Sequence, residues 1–262
     1  MYTKSDFIRQ LDEMGAPRDS VVLVHASLKA VGGIEGRGET LLDALIDYFA
    51  GESGGILLFP THTWDRQFDP SVYTLDVPLR SCCTGTLPNL ALRDPRGVRS
   101  LHPTHSVVAF SHDPQKAKAF VDGEIACHSP APAEGVYGKL IRAHGKTLLI
   151  GVGQNRNTIL HGIEESLGVP HLHEIPTDMT VRTADGTVIE TYIHRNGCES
   201  AKFPKFETPF RVHGAITDGF IGDAPTELCD VDIMVAVMQM MLERSGHAEL
   251  CNDEPFPEAW YR

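Results

Sequence analysis

The chain has 262 residues, 42% of them hydrophobic and 22% charged, which excludes a disordered chain, a collagen-like fibre and a coiled coil. It carries 23 basic against 35 acidic residues, a formal net charge of −12; that argues against nucleic acid or an anionic membrane as the main partner and is compatible with a cationic small molecule. No run approaches the ~18 apolar residues of a membrane span, and the first six residues lack the basic-then-apolar pattern of a signal peptide, so the expectation is a cytoplasmic protein.

Phe7, Ile8, Leu11 and Met14 share one face of a helix predicted over 3–14, with Gly15 beyond its end. The continuous apolar run 21–24 suits a buried strand. Glycines at 32, 33, 36 and 38 mark a loop, and Leu41, Leu42, Leu45, Ile46 and Phe49 space a helix over 40–49. A second buried strand over 56–59 stops at Pro60, which completes a strand–loop–helix–strand unit of a parallel sheet. Residues 62–105 are irregular, and a loop of that length inside a domain is usually functional. Then come a strand over 107–110, helices over 114–121 and 137–143, the clearest strand of the chain over 146–152, and a helix over 157–167. From Thr180 the pattern changes to a hairpin, 180–183 and 188–193 around Asp185-Gly186. A Met-rich helix over 230–242 turns Ile233, Val237, Met240 and Met241 inward. The whole chain, 1–262, reads as one α/β domain: a central mixed, largely parallel sheet flanked by helices, with an antiparallel excursion in the C-terminal third.

Cys82, Cys83, Cys127, Cys198, Cys229 and Cys251 form no CxxC pair and read as reduced structural thiols. Cys127 beside His128 is a weak nucleophile candidate, because adjacent side chains seldom face each other.

Three segments carry candidate chemistry. His25-Ala26-Ser27-Leu28-Lys29-Ala30-Val31-Gly32-Gly33 follows the first strand, where open α/β sheets bind ligands. Its amides, hydroxyl and Lys suit a phosphate, although an ordinary turn has the same composition. His102 and His105, with His62, could form a three-histidine zinc site or could bond backbone and pocket walls. His161 falls one turn into a helix after the clearest strand. There Thr158 and Glu164 or Glu165 share its face, and an imidazole beside a carboxylate is what base catalysis near neutral pH needs; a half-buried structural histidine fits equally.

Together these segments resemble the aminoglycoside 3-N-acetyltransferase family, also called antibiotic N-acetyltransferases, in order and spacing over about residues 1–170. The stretches are His25 to Gly32, Phe59-Pro60-Thr61-His62-Thr63, His102 to Val107, His128-Ser129-Pro130 with Gly135 to Leu140, and Lys146 to Gly153 with Thr158, His161, Glu164 and Glu165. The resemblance implies a fold distinct from the GNAT acetyltransferases, and transfer of acetyl from acetyl-CoA to an amine of an aminoglycoside, an antibiotic-resistance activity, without an acyl-enzyme or a metal. It implies that His25, Ser27, Leu28, Lys29, Val31 and Gly32 with Thr104, His105 and Ser106 hold the coenzyme. It makes His161 the general base, Thr158 a group that positions the thioester or the developing oxyanion, and Glu164 or Glu165 the partner of His161. Glu199 is a third candidate for that partner. The acceptor region is expected in 62–80 and 171–228, with Asp65, Asp69, Asp76, Glu199, Glu207 and Asp218 as carboxylates for a polycation. Alternatives are the same chemistry on another amine, a zinc hydrolase on His62, His102 and His105, and a non-catalytic coenzyme- or antibiotic-binding module. Whether the chain pairs as a homodimer is left open.

Overall fold

The apolar runs are continuous because both faces of their strands are covered. Val22, Val24, Leu57, Phe59, Leu148 and Ile150 join one buried cluster with Phe7, Leu11, Leu41, Leu45 and Phe49. Their sequence neighbours Leu23, Leu58 and Leu149 join a second, with Tyr137, Ile163, Phe203, Met234 and Met241 on the other side of the sheet. Alternate side chains of a strand face opposite ways, so a strand between two helical layers has no polar face to show.

The computed structural model describes residues 1–169, 172–197, 199–245, 252 and 254–262. In chain order its elements are α1 (Lys4–Glu13), β1 (Val21–Ala26), α2 (Gly38–Phe49), β2 (Ile56–Pro60), β3 (Leu75–Asp76), α3 (Thr86–Ala91), β4 (Val98–Arg99), β5 (Val107–Phe110), α4 (Pro114–Val121), α5 (Val136–Arg142), β6 (Lys146–Ile150), α6 (Ile159–Ser166), β7 (Thr177–Arg182), β8 (Val188–Ile193), α7 (Glu207–Val212), β9 (Ile216–Ile221), β10 (Ala224–Asp230) and α8 (Val231–Ser245), with short 3-10 turns between them. Local chemistry sets several ends. Thr3 caps α1 in a reciprocal box with Asp6. Asp113 accepts from the Gln115 amide at 2.9 Å, with Pro114 at the first helical position of α4.

The main sheet has the order β4-β5-β2-β1-β6-β10-β9. Its middle is parallel, β1 pairing with β2 and with β6, and the outer ladders are antiparallel. This is the mixed α/β sheet expected, parallel at its centre. The hairpin β7–β8 is present, and β3 adds to it in parallel to make a separate three-stranded sheet. In α8, Val231, Met234, Val237, Met238 and Met241 are the buried side chains, while Ile233 and Met240 are only partly covered. Among the described residues no helix is long and apolar enough to cross a membrane.

The pairing decides where a site can form. β1, β2 and β6 all end at one edge, so the loops at 27–33, 61–65 and 151–158 converge there. β5 runs against β2, with Val107 opposite Pro60, so its start lies at that edge too. β10 runs against β6, with Thr226 opposite Ile150, which brings Asp223 to the same place.

Candidate active site

At this edge His25, His62, His102, His105 and His161 gather. The His62 and His105 rings lie 4.5 Å apart, and His102 is 5.8 Å from His105. His62 Nε2 is 2.8 Å from the Tyr137 hydroxyl. Burial, before any neighbouring charge, pushes His62, His102 and His105 below the usual imidazole range. The phenol of Tyr137 is pushed up by the same cause. These rings form a neutral wall.

His102 cannot serve as a metal ligand here. Its Nδ1 accepts from the amides of Thr104, at 3.2 Å, and His105, at 2.9 Å, so Nε2 carries the hydrogen, which it donates to the Ser129 carbonyl at 2.8 Å. Both ring nitrogens are occupied by backbone, and among the described residues no cluster of metal-ligating side chains forms.

His161 is placed differently. Only 12% of its side chain is exposed, and its Nδ1 lies 3.1 Å from Glu164 Oε2. Glu164 is fully buried, and its Oε1 pairs with Lys202 Nζ at 2.5 Å. Burial would raise this carboxyl, but the hydrogen bond from His161 and the charges of His161 and Lys202 outweigh it and hold Glu164 below its ordinary value. Asn196 reaches the same ring edge, its amide 2.7 Å from Nδ1, and Phe203 packs 4.6 Å from the ring centre. A carboxylate only accepts, so Nδ1 holds the proton and Nε2 is left basic. The Asn196 amide then meets this edge through its oxygen, an orientation that the hydrogen-bond network decides.

The structure separates the two glutamates that helix spacing could not. Glu165 faces away from His161: it accepts from the Ala131 amide at 2.7 Å and from the Ser129 hydroxyl, and so anchors the 128–131 loop. No bond links Glu199 to His161; the contacts across the cleft come from Asn196 and Phe203 instead. Asn196 and Lys202 belong to this site although nothing in their local sequence pattern marks them. Cys198 and Cys251 lie outside the described residues. The four described cysteines are free thiols. Burial raises Cys127 to about 12, and His128 stacks on Tyr192 at 4.0 Å, so Cys127 and His128 form no nucleophile pair.

The β1 turn offers donors at the same edge. The Ser27 amide is used by the Ile150 carbonyl, but the Ser27 hydroxyl, the Lys29 ammonium and the amides of Leu28, Lys29, Gly32 and Gly33 bond to no described residue. Leu28 packs its side chain on the cluster of Phe7, Leu11 and Leu41, and Val31 belongs to that core, so both present only backbone. Gly32 has φ +85°, and a Cβ there would overlap Asp223 Oδ2, so this close approach needs glycine. Such a set of free N–H groups with a hydroxyl and a cation fits a phosphate. His25 does not share that task. Burial, with Arg156 nearby, lowers it to about 3, and its Nε2 accepts the Thr158 amide at 3.4 Å, tying β1 to the start of α6. The Thr158 hydroxyl itself bonds to no described residue. Thr104 and Ser106 are buried. Ser106 Oγ donates to the Thr61 carbonyl at 2.8 Å and accepts from Arg99 at 3.2 Å, while Thr104 Oγ1 is 2.9 Å from His105 Nδ1. These two hydroxyls are committed to the wall.

The expected acceptor carboxylates divide as well. Asp65, Asp69 and Asp76 line one cavity of about 420 Å³ with Arg66, Tyr73 and Leu79. Asp76, however, is clamped by Arg182 at 2.6 and 3.0 Å, which binds β3 to β7. Glu207 and Asp218 both hold Arg211, at 3.2 and 2.8 Å. A cavity of about 750 Å³ is lined by Arg80, Asp94, Lys118 and Thr183 among others, and by none of the histidines.

The sequence profile of the aminoglycoside 3-N-acetyltransferases matches residues 23–243. The chain belongs to this family. It is an acyltransferase by that membership, and its fold is that of these enzymes. It is 29% identical over 202 residues to an aminoglycoside N(3)-acetyltransferase IV of Salmonella sp, covering 75% of this chain and 71% of the relative. With an aminoglycoside N(3)-acetyltransferase III of Serratia marcescens it shares 26% identity over 273 residues, 93% of this chain and 98% of the relative. The structure of AAC-IIIb as a binary complex with CoASH superposes with a TM-score of 0.77 at 24% identity, over 93% of this chain and 97% of that one.

Proposed function

We propose that the chain transfers the acetyl group of acetyl-CoA to an amine of an aminoglycoside, at the 3-N position as in the relatives' names, with His161 as general base. The observation that carries this is His161 itself. Its Nδ1–H is held by a buried carboxylate, and its Nε2, 3.4 Å from the Asn196 amide, lies at the strand edge that also presents the unbonded donors of 27–33. Acetyl-CoA supplies an activated thioester when bound; a relative of the same fold binds CoASH.

Ser27, Lys29 and the amides of Leu28, Lys29, Gly32 and Gly33 hold the anionic part of the coenzyme. An ammonium is no nucleophile, so the amine attacks in its neutral form, and His161 Nε2 takes the proton that its nitrogen loses as the C–N bond forms. Glu164 stabilises the imidazolium so formed, and His161 then returns the proton to the departing sulfur. The amine nitrogen therefore attacks directly, and no side chain is acylated. The Thr158 hydroxyl, one turn before His161, is a free donor for developing negative charge on oxygen. Asp65 and Asp69, which line the 420 Å³ cavity, supply negative charge for a polycation.

The test is release of the CoA thiol from acetyl-CoA across a panel of aminoglycosides, with His161→Ala alongside. Turnover in the variant is expected to fall about 10²–10⁴-fold, the share of a general base, with acetyl-CoA binding kept. Wild-type turnover in His161→Ala removes that histidine from the mechanism. Absence of release with every aminoglycoside tested, while acetyl-CoA still binds, moves the acceptor to another amine.

A further inference from the structure

Lys202 stands where a charge is hardest to keep. Its side chain is 1% exposed, and its partner Glu164 is fully buried. Each such ion loses several kcal/mol of hydration, and apolar residues of similar volume would fill the same space at lower cost. The pair is also not isolated. Glu164 meets Lys202 with Oε1 and His161 with Oε2, so Lys202, Glu164 and the base stand in one line.

Among the described residues the rest of the surroundings adds little charge to that line. Asn196 contributes an amide and Phe203 a ring. His25, His62 and His105 are neutral by burial, and Arg156 lies toward His25. Glu165, the next residue on α6, spends its carboxylate on Ser129 and Ala131, and burial raises it.

We infer that Lys202 is a positioning residue for acyl transfer, the counter-charge that lets Glu164 orient His161 without drawing a resting proton onto it. The inference rests on the reading of His161 as base. Charge counting gives the reason. With Lys202 present, the three groups sum to zero when the imidazole is neutral and to +1 when it is protonated. Without Lys202 they sum to −1 and zero. A buried site favours the state of least net charge, so loss of Lys202 makes the His161–Glu164 pair bind a proton at rest. Either place for that proton, on the imidazole or on the carboxyl, disables the base, and the two sites titrate as one unit.

The experiment follows the His161 imidazole by NMR titration, its signal assigned by loss in His161→Ala, together with kcat/KM against pH for an aminoglycoside that the wild type acetylates. Lys202→Met should move both the imidazole midpoint and the acid limb of kcat/KM upward by about one pH unit or more, tenfold in rate on the acid side, with activity recovered at higher pH. Lys202→Arg keeps the charge and should keep the wild-type midpoint. Glu164→Gln combined with Lys202→Met restores the wild-type charge sum, so its midpoint should return to within about half a unit of wild type. A shifted midpoint in Lys202→Arg or in that double variant overturns the inference even if Lys202→Met does not fold. An unmoved midpoint in Lys202→Met, an equal shift in Lys202→Arg, or a loss of activity uniform across pH overturns the inference. The NMR readout needs no acceptor, so a mistaken substrate class leaves it intact. Wild-type turnover in His161→Ala, by contrast, defeats the base reading and not the charge count.

Discussion

Glu164→Gln tests the buried line with the smallest change of shape. The amide is isosteric and can still meet His161, but it takes from Lys202 the buried carboxylate that faces it. Removing one member of a buried pair costs about 3–5 kcal/mol. The retained hydrogen bonds place this variant at the low end, about 3 kcal/mol, or more than a hundredfold in the folding equilibrium. The assay is urea unfolding at a series of pH values, comparing midpoints at unchanged slope. The sign of the pH dependence follows from Glu164, whose folded carboxyl lies below the ordinary value of 4.5. A depressed carboxylate stabilises fully above the unfolded value and loses that contribution as pH falls through the lower folded value. The gap between wild type and variant should therefore be widest above about pH 5 and narrow on acidification below it. Equal midpoints near neutrality, or a gap that stays constant through the acid range, would refute the assignment of Glu164 as a buried anion paired with Lys202.

Three further outcomes follow from geometry already described. Ser27→Ala and Lys29→Ala should each raise KM for acetyl-CoA several-fold with little change in kcat; titration calorimetry with CoA showing unchanged affinity would remove those side chains from the coenzyme site. Gly32→Ala forces a Cβ into the left-handed region, costing about 1–2 kcal/mol, and pushes on Asp223; thermal unfolding should register the loss, and an unchanged Tm would contradict the strain. Asp76→Ala breaks the clamp on Arg182, whose side chain is 37% exposed, so stability should fall by only about 1 kcal/mol or less. Limited proteolysis should nick 62–80 faster in that variant, and equal rates would show that β3 pairing alone holds the segment.

The parts of the fold legible in the sequence are those with local causes. Runs such as Val21-Val22-Leu23-Val24 and Thr147-Leu148-Leu149-Ile150 could only be strands covered on both faces, and α1, α2, α4 and α6 follow from periodicity and capping. The parts not legible have no local cause. β9 and β10 carry Gly219 and Pro225 and expose much of one face, so they read as punctuated loop. β3 and β4 are two residues each and exist only because partners pair with them.

The site divides along the same line. By itself the sequence determined that His161 stands on a helix just after the central strand β6, with Thr158 and two glutamates on its face, and that a free-donor turn follows β1. It could not choose between Glu164 and Glu165, since three and four residues along a helix are both neighbours of His161. The tertiary structure chose. The loop at 128–131 takes Glu165, and the segment at 196–203 brings Asn196, Lys202 and Phe203 against Glu164 and His161. Those contacts span more than thirty residues of chain and depend on how one irregular segment packs on α6. Helical spacing cannot encode that, because it constrains only what lies within a turn.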